Sequence, residues 1–254
     1  MTTTKGRTRY PGAISDVVVG VNPKSLSNLQ LWFDAMTIKS LADGAAVAQW
    51  NDLSGNGRHL AQATGGSQPL YKAKGLNGLP CVRFDGSNDY MDCTAFAHTN
   101  LTMFGVVFPT NWITNDLCVF SMFATGAQDW NSADGWIFSS GVGDYQFNWL
   151  RAIGANILTV TLSPAWFNPL LVTLRLDNSA ATAYVHINGG ADTSDTYSDT
   201  TSIDSNTMRI GARGTTLGSY GRIDYAEIIA YNDLKDAATI AAIEAYLTAK
   251  WRIG

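Results

Sequence analysis

Only two glutamates, Glu227 and Glu244, occur beside nineteen aspartates in this 254-residue chain, and that scarcity limits what the chain can catalyse. Cleavage of a glycosidic bond needs two carboxyl groups roughly 5 to 9 Å apart, one of them kept protonated. Glu227 falls in the final strand-like stretch and Glu244 in a helix-like one, which predicts a strand-surface charge and a solvated helix decoration. No two aspartates form a strand-borne pair at the required spacing. Nucleophilic catalysis lacks its parts as well. There is no Gly-x-Ser-x-Gly elbow, and His59, His98 and His186 are scattered, with His186 on the wet face of a predicted strand. Gly141-Val142-Gly143 lacks the third glycine of a dinucleotide fingerprint, and no Gly-Lys-Ser/Thr loop is present to cradle phosphate. The expectation is a chain that is not an enzyme.

Aromatic side chains are the remaining chemical resource. Trp112, Trp130, Trp136 and Trp149 cluster between Pro109 and Leu150, in a stretch rich in Asn, Asp, Gly and Ser. Sugar sites combine a flat ring under the apolar face of the sugar with amide and carboxylate partners around it. Trp112, Trp130 and Trp149 are therefore the carbohydrate-binding candidates. Trp136, inside Gly135-Trp136-Ile137-Phe138, reads as a core strand residue, and packing in a core or interface is the competing role for the other three.

The elements that must position these residues follow from composition and period. Charged residues make up 15% of the chain, below the roughly 25% of an average soluble domain. Thr (25), Ser (18) and Gly (24) dress the surface instead, which favours strands and turns. A net charge of −4 offers no field for a polyanion, so neither nucleic acid nor a membrane surface is an expected partner. Apolar runs stay short of the roughly 20 residues of a membrane helix. Cys81, Cys93 and Cys118 cannot all pair with one another and lie in strand-like surroundings, which predicts reduced, buried thiols.

Residues 1 to 25 differ from the rest. Thirteen of the 17 basic residues but 20 of the 21 acidic ones lie beyond them, so an acidic body carries a basic arm. Lys5, Arg7 and Arg9, followed by the β-branched Val17, Val18 and Val19, suit an attachment arm that orders on a partner, against the plainer alternative of a frayed terminus. Asp16 and Pro11 interrupt what would be the apolar core of a signal peptide, so synthesis in the cytoplasm without a leader is expected.

Leu170 to Asp177 and Thr182 to Asn188 each alternate apolar and polar residues, which predicts a hairpin closed by Asn178-Ser179-Ala180-Ala181. The spacing of Ile240, Ile243, Leu247 and Trp251 predicts one amphipathic helix over 237–251, with Asp236 as its cap.

Three segments then carry a family pattern: Leu29-Gln30-Leu31-Trp32-Phe33-Asp34-Ala35, Trp50-Asn51-Asp52-Leu53-Ser54-Gly55-Asn56-Gly57, and the run from Leu76-Asn77-Gly78 to Asp85-Gly86-Ser87-Asn88-Asp89-Tyr90. With Arg209-Ile210-Gly211, Gly221 to Asn232 and the closing helix, they resemble a laminin-G-like, concanavalin A-like jelly-roll domain across about residues 26 to 253. The resemblance implies an all-β fold: a two-sheet antiparallel β-sandwich over residues 26–254 with one C-terminal α-helix. It departs from the family at Lys235, where a Ser or Thr helix cap is usual. Laminin-G-like domains often hold calcium, which makes Asp52 and Asp224 metal candidates against the alternative that they cap turns.

This fold hosts many functions. The lectin-type fold without a leader, the low-charge surface and the basic arm lead to an expected virion structural protein, a bacteriophage head-decoration, knob or fibre-associated subunit at the virion surface. Its partners would be capsid or other virion proteins and further copies of itself, with a trimer by analogy. The alternative is a carbohydrate-binding or adhesion module that recognises host or environmental glycans.

Overall fold

The computed structural model describes residues 21–110, 117–124, 135–140, 146–151, 155–161, 168–198, 200, 202–214 and 218–254. In chain order the strands are β1 (Leu29–Asp34), β2 (Gln49–Trp50), β3 (Leu60–Ala61), β4 (Leu70–Leu76), β5 (Leu79–Arg83) and β6 (Met91–Thr94). There follow β7 (Leu101–Pro109), β8 (Cys118–Phe123), β9 (Trp136–Ser140), β10 (Gln146–Arg151) and β11 (Ala155–Thr161). The last are β12 (Leu170–Asp177), β13 (Thr182–Ile187), β14 (Thr193–Thr196), β15 (Thr207–Ile210) and β16 (Ile223–Tyr231), before α1 (Ala237–Trp251), the one α-helix among the described residues.

These strands form two eight-stranded sheets, every pairing antiparallel, as the period-two segments and turn-rich composition predict. The first runs β14-β13-β12-β7-β16-β5-β4, and the second β11-β10-β9-β8-β15-β6-β3-β2. β16 lies at the centre of the first sheet. One of its edges pairs with β7; its other edge is shared, Asp224 and Tyr225 facing β5 and Glu227 to Tyr231 facing β1. The β12–β13 hairpin has the expected register, Val172 opposite Ile187 and Asp177 opposite Thr182, because alternate residues bury one face.

Between the sheets lies one apolar core that includes Phe33, Trp50, Phe84, Phe120, Trp136 and Phe138, all wholly buried. Trp136 is thus the core strand residue its sequence context predicts. Tyr225 crosses the interior: its hydroxyl donates to Val119 O of β8 at 2.6 Å and accepts from Gly211 N at 3.2 Å. None of the three cysteines is in a disulfide, and all are buried.

Helix α1 lies on the outer face of the first sheet and buries Ile240, Ile243, Leu247 and Trp251, each worth roughly 1.5–3 kcal/mol of apolar transfer. Asp236 caps its start, accepting from Thr239 N at 2.6 Å, so Lys235 falls before the cap and its departure from the family pattern costs the helix nothing. The other end is held by the β4–β5 hairpin. Asn77 and Gly78 both take positive φ, as a two-residue turn of this kind requires, and the Asn77 amide donates to Trp251 O and Arg252 O at 2.8 and 2.9 Å. At the N-terminal side the sequence-based boundary at residue 25 moves. Pro23 is buried and its carbonyl accepts from Tyr231 Oη at 3.2 Å, so residues 21–25 belong to the sandwich.

Candidate functional site

Both glutamates expected at surfaces are buried, and this is the main correction to the sequence-based view. Glu227 is wholly inaccessible beneath α1. Its Oε2 accepts from Lys250 Nζ at 2.6 Å and Trp251 Nε1 at 2.7 Å; its Oε1 accepts from Trp32 Nε1 at 2.8 Å and Tyr246 Oη at 3.0 Å. Lys250 also reaches Asp34 Oδ2 at 2.7 Å. Burial pushes the Glu227 carboxyl up, opposed by the Lys250 ammonium and reinforced by Asp34. Burial pulls Lys250 down, but the Glu227 and Asp34 carboxylates outweigh it and hold the ammonium protonated. Four donors around one carboxylate leave it no room to meet a substrate, so the knot fastens helix to sheet.

Glu244 is the second correction. It is 7% exposed, accepting from Thr173 Oγ1 of β12 at 2.6 Å and lying 2.9 Å from His186 Nδ1 of β13. His186, expected on a wet face, therefore sits half-covered under the helix, beside a shallow cleft of about 190 Å³. The physical reason is the same for both glutamates: the outer face of the first sheet is roofed by α1, so polar residues pointing outward meet the helix instead of water.

Asp52 and Asp224, the calcium candidates, both have their carboxylate oxygens engaged by protein donors. Asp52 Oδ1 accepts from the amides of Trp32 and Ser54 at 3.1 and 2.9 Å, and its Oδ2 from Ser54 Oγ and Arg58 N at 2.7 and 3.1 Å. It is a turn cap. Asp224, wholly buried, holds Arg83 through both oxygens at 2.7 and 2.6 Å. Calcium needs several oxygens facing one open position, and among the described residues no group of three or more His, Cys, Asp or Glu could supply one. Trp112, Trp130, Lys5, Arg7, Arg9, Val17, Val18 and Val19 lie outside the described residues. Trp149 is in β10, opposite Phe138 of β9 and Leu158 of β11.

The structure adds a cleft that sequence inspection missed. β4 and β5 run in register from Leu70 opposite Arg83 to Lys72 opposite Cys81, then lose it until Leu76 meets Leu79. Ala73, Lys74 and Gly75 there face Pro80 alone, which has no N–H to give the ladder, so β4 bulges outward. The bulge opens a cleft of about 510 Å³ lined by Asp43, Lys72, Ala73, Lys74, Gly75 and Arg83. Gly75 is needed because any Cβ there would collide with Cys81 Sγ. Asp43 is fixed opposite by accepting from Ala73 N at 2.8 Å. Arg83 keeps its charge, its hydrogen bonds to Asp224 outweighing the loss of hydration. Burial, with Asp224 nearby, pushes the Cys81 thiol up, so it stays neutral beneath the cleft. A glycine in mid-strand followed five residues later by proline was the available signal.

Two antiparallel sheets packed face to face, with one helix over an outer face, define a β-sandwich of the jelly-roll type. No family model matches the chain, and no curated protein does either. Among solved structures the chain is similar to the binding domain of botulinum neurotoxin serotype G, with a TM-score of 0.63 and 12% identity over 86% of this chain and 51% of that one. It is also similar to the binding domain of Paraclostridial Mosquitocidal Protein 1 (TM-score 0.59, 15% identity, 90% and 53% covered). A third similarity is to Trypanosoma rangeli sialidase in complex with sialic acid (TM-score 0.59, 12% identity, 89% and 33% covered). The chain thus spans about half the length of the toxin binding domains and a third of the sialidase. At these identities the likeness is one of fold.

Proposed function

We propose that this protein is a non-catalytic binding module of the carbohydrate-binding or adhesion kind. The observation that carries this reading is the sandwich it shares, across most of its length, with structures described as the receptor binding domain of botulinum neurotoxin type G and the binding domain of Paraclostridial Mosquitocidal Protein 1. The chemistry of its own residues supports the same direction. Glu227 and Glu244, the only glutamates, are both committed to buried networks, and Asp192, the carboxyl that shares a cleft with Glu244, is itself paired with Arg175. Trp112, Trp130 and Trp149 are the proposed stacking platforms.

The test is a glycan panel screened with the full chain, with release of reducing sugar and of sialic acid followed in parallel. Retention of some glycans without release of either product is expected. Trp112→Ala or Trp130→Ala should lower affinity by roughly 1–3 kcal/mol per stacked ring, at an unchanged melting temperature. Turnover that disappears in Glu227→Gln, with the fold intact, would overturn the reading.

The charge asymmetry favours a second reading, in which the module is a virion subunit attached through its basic arm. Deleting residues 1–20 would then leave the sandwich folded but abolish incorporation into particles or oligomers, with salt weakening the Lys5, Arg7 and Arg9 contacts in the intact chain. Full incorporation of the truncated protein would remove the arm from that mechanism.

A further inference from the structure

We infer that the cleft over the β4 bulge binds the acidic group of a saccharide, a sugar bearing one carboxylate or sulfate, through Lys72, Lys74 and the free edge of Arg83. This rests on the binding-module reading and adds the class of ligand.

The charge of the cleft sets it apart from the molecule around it. The chain as a whole carries −4, yet three cations converge on this one opening. Lys72 and Lys74 have no ion-pair partner among the described residues. Both ammonium groups are thus open to an incoming anion.

Arg83 is different in kind. Its Nε and Nη2 are clamped on the buried Asp224, which leaves Nη1 without a partner among the described residues, on a side chain that is 39% exposed. One side of the guanidinium is thus an anchor and the other a preoriented donor pair, the geometry that planar oxyanions fit. The cost of ordering a long side chain has been met by folding, before any ligand arrives.

The remaining features select the ligand further. Asp43 and Asp224 offset two of the three cations, leaving a formal +1 that suits a singly charged group better than a polyphosphate. Asp43 gives one oxygen to Ala73 N and keeps the other for a hydroxyl. A volume of about 510 Å³ lies within the usual range for small-molecule sites and admits one or two sugar rings. Ala73, Gly75 and the lysine stems supply an apolar floor for a ring.

Calorimetric titration of the full chain tests this with four probes: a disaccharide bearing one uronic acid, its neutral methyl ester, a monosulfated disaccharide, and vesicles containing a phosphoinositide. The uronide or the sulfated sugar should bind, the ester should bind at least tenfold more weakly, and raised salt should weaken the acidic sugars alone. Lys72→Gln with Lys74→Gln should lower acidic-sugar affinity by roughly tenfold, as loss of partly solvated charged hydrogen bonds does. The melting temperature should not move, since neither lysine holds the fold. Equal binding of acid and ester, or acidic binding untouched by the double substitution, overturns the inference and leaves the module reading standing. Preference for the vesicles overturns it in favour of a lipid headgroup. Retention of no saccharide at all, neutral or acidic, overturns both.

Discussion

The indole Nε1–H of Trp251 donates to Glu227 Oε2 at 2.7 Å, so the last turn of α1 is fastened to the central strand of the first sheet by a buried charge-assisted hydrogen bond. Lys250, one residue earlier, lies over the same carboxylate and over Asp34 of β1. Two carboxylates under one ammonium make the lysine the critical member.

Lys250→Ala should therefore destabilise by about 3–5 kcal/mol, because it leaves two buried carboxylates facing each other without a cation. Glu227→Gln should cost less, since Asp34 still pairs with Lys250 and the amide oxygen still accepts. Urea unfolding of the two variants measures the order, and a larger loss for Glu227→Gln would contradict it.

High pH should unfold the protein steeply. Burial raises the phenols of Tyr225, Tyr231 and Tyr246 above their ordinary value, and the two carboxylates raise Lys250 despite its burial. All four hold protons more tightly folded than unfolded. Their stabilisation is fully present below about pH 10 and is lost as pH rises through the folded values. Denaturant midpoints should fall from about pH 10 upward, and Tyr225→Phe should make that fall shallower; a flat profile to pH 11 would refute the linkage.

Arg83→Ala should cost about 2–3 kcal/mol. It strands the wholly buried Asp224, but the 39% exposure of the guanidinium discounts the pair below a fully buried one. Adding Asp224→Asn should recover much of the loss. A double variant no more stable than Arg83→Ala would show that the pair is not what the site lacks.

Thiol labelling provides a simple check on the core. Cys81, Cys93 and Cys118 are all buried, and burial raises Cys81 and Cys93 further from the reactive thiolate. Iodoacetamide should modify none of them in native buffer and all three in denaturant. Rapid native labelling of Cys118 would place β8 nearer to solvent than its packing implies.

What the sequence made legible were the locally encoded elements. The β12–β13 hairpin and α1 each announce themselves through a period within a dozen residues, with Asn178 and Asp236 marking the turn and the cap. Glu227 and Glu244 could not be placed that way, because their burial depends on how α1 docks on the sheet: Glu244 meets Thr173, 71 positions away, and the lysine over Glu227 also holds Asp34, 216 positions away. The Lys72–Lys74–Arg83 cleft failed for a related reason. It arises from a register slip, and register is a relation between two strands that neither strand's own pattern reveals.

The position of β16 sets the timetable of biosynthesis. Residues up to 222 precede the strand that joins β7 to β1 and β5, so until β16 is made the first sheet has open edges and no centre. With strands appearing at roughly 5–20 residues per second, those edges stay exposed for seconds. Lys250 and Trp251 arrive later still, and until they do Asp34 has no cation to sit under. The first sheet therefore closes in one step, once β16 and then α1 have been made, and its exposure to chaperones and to aggregation is concentrated in the interval before it.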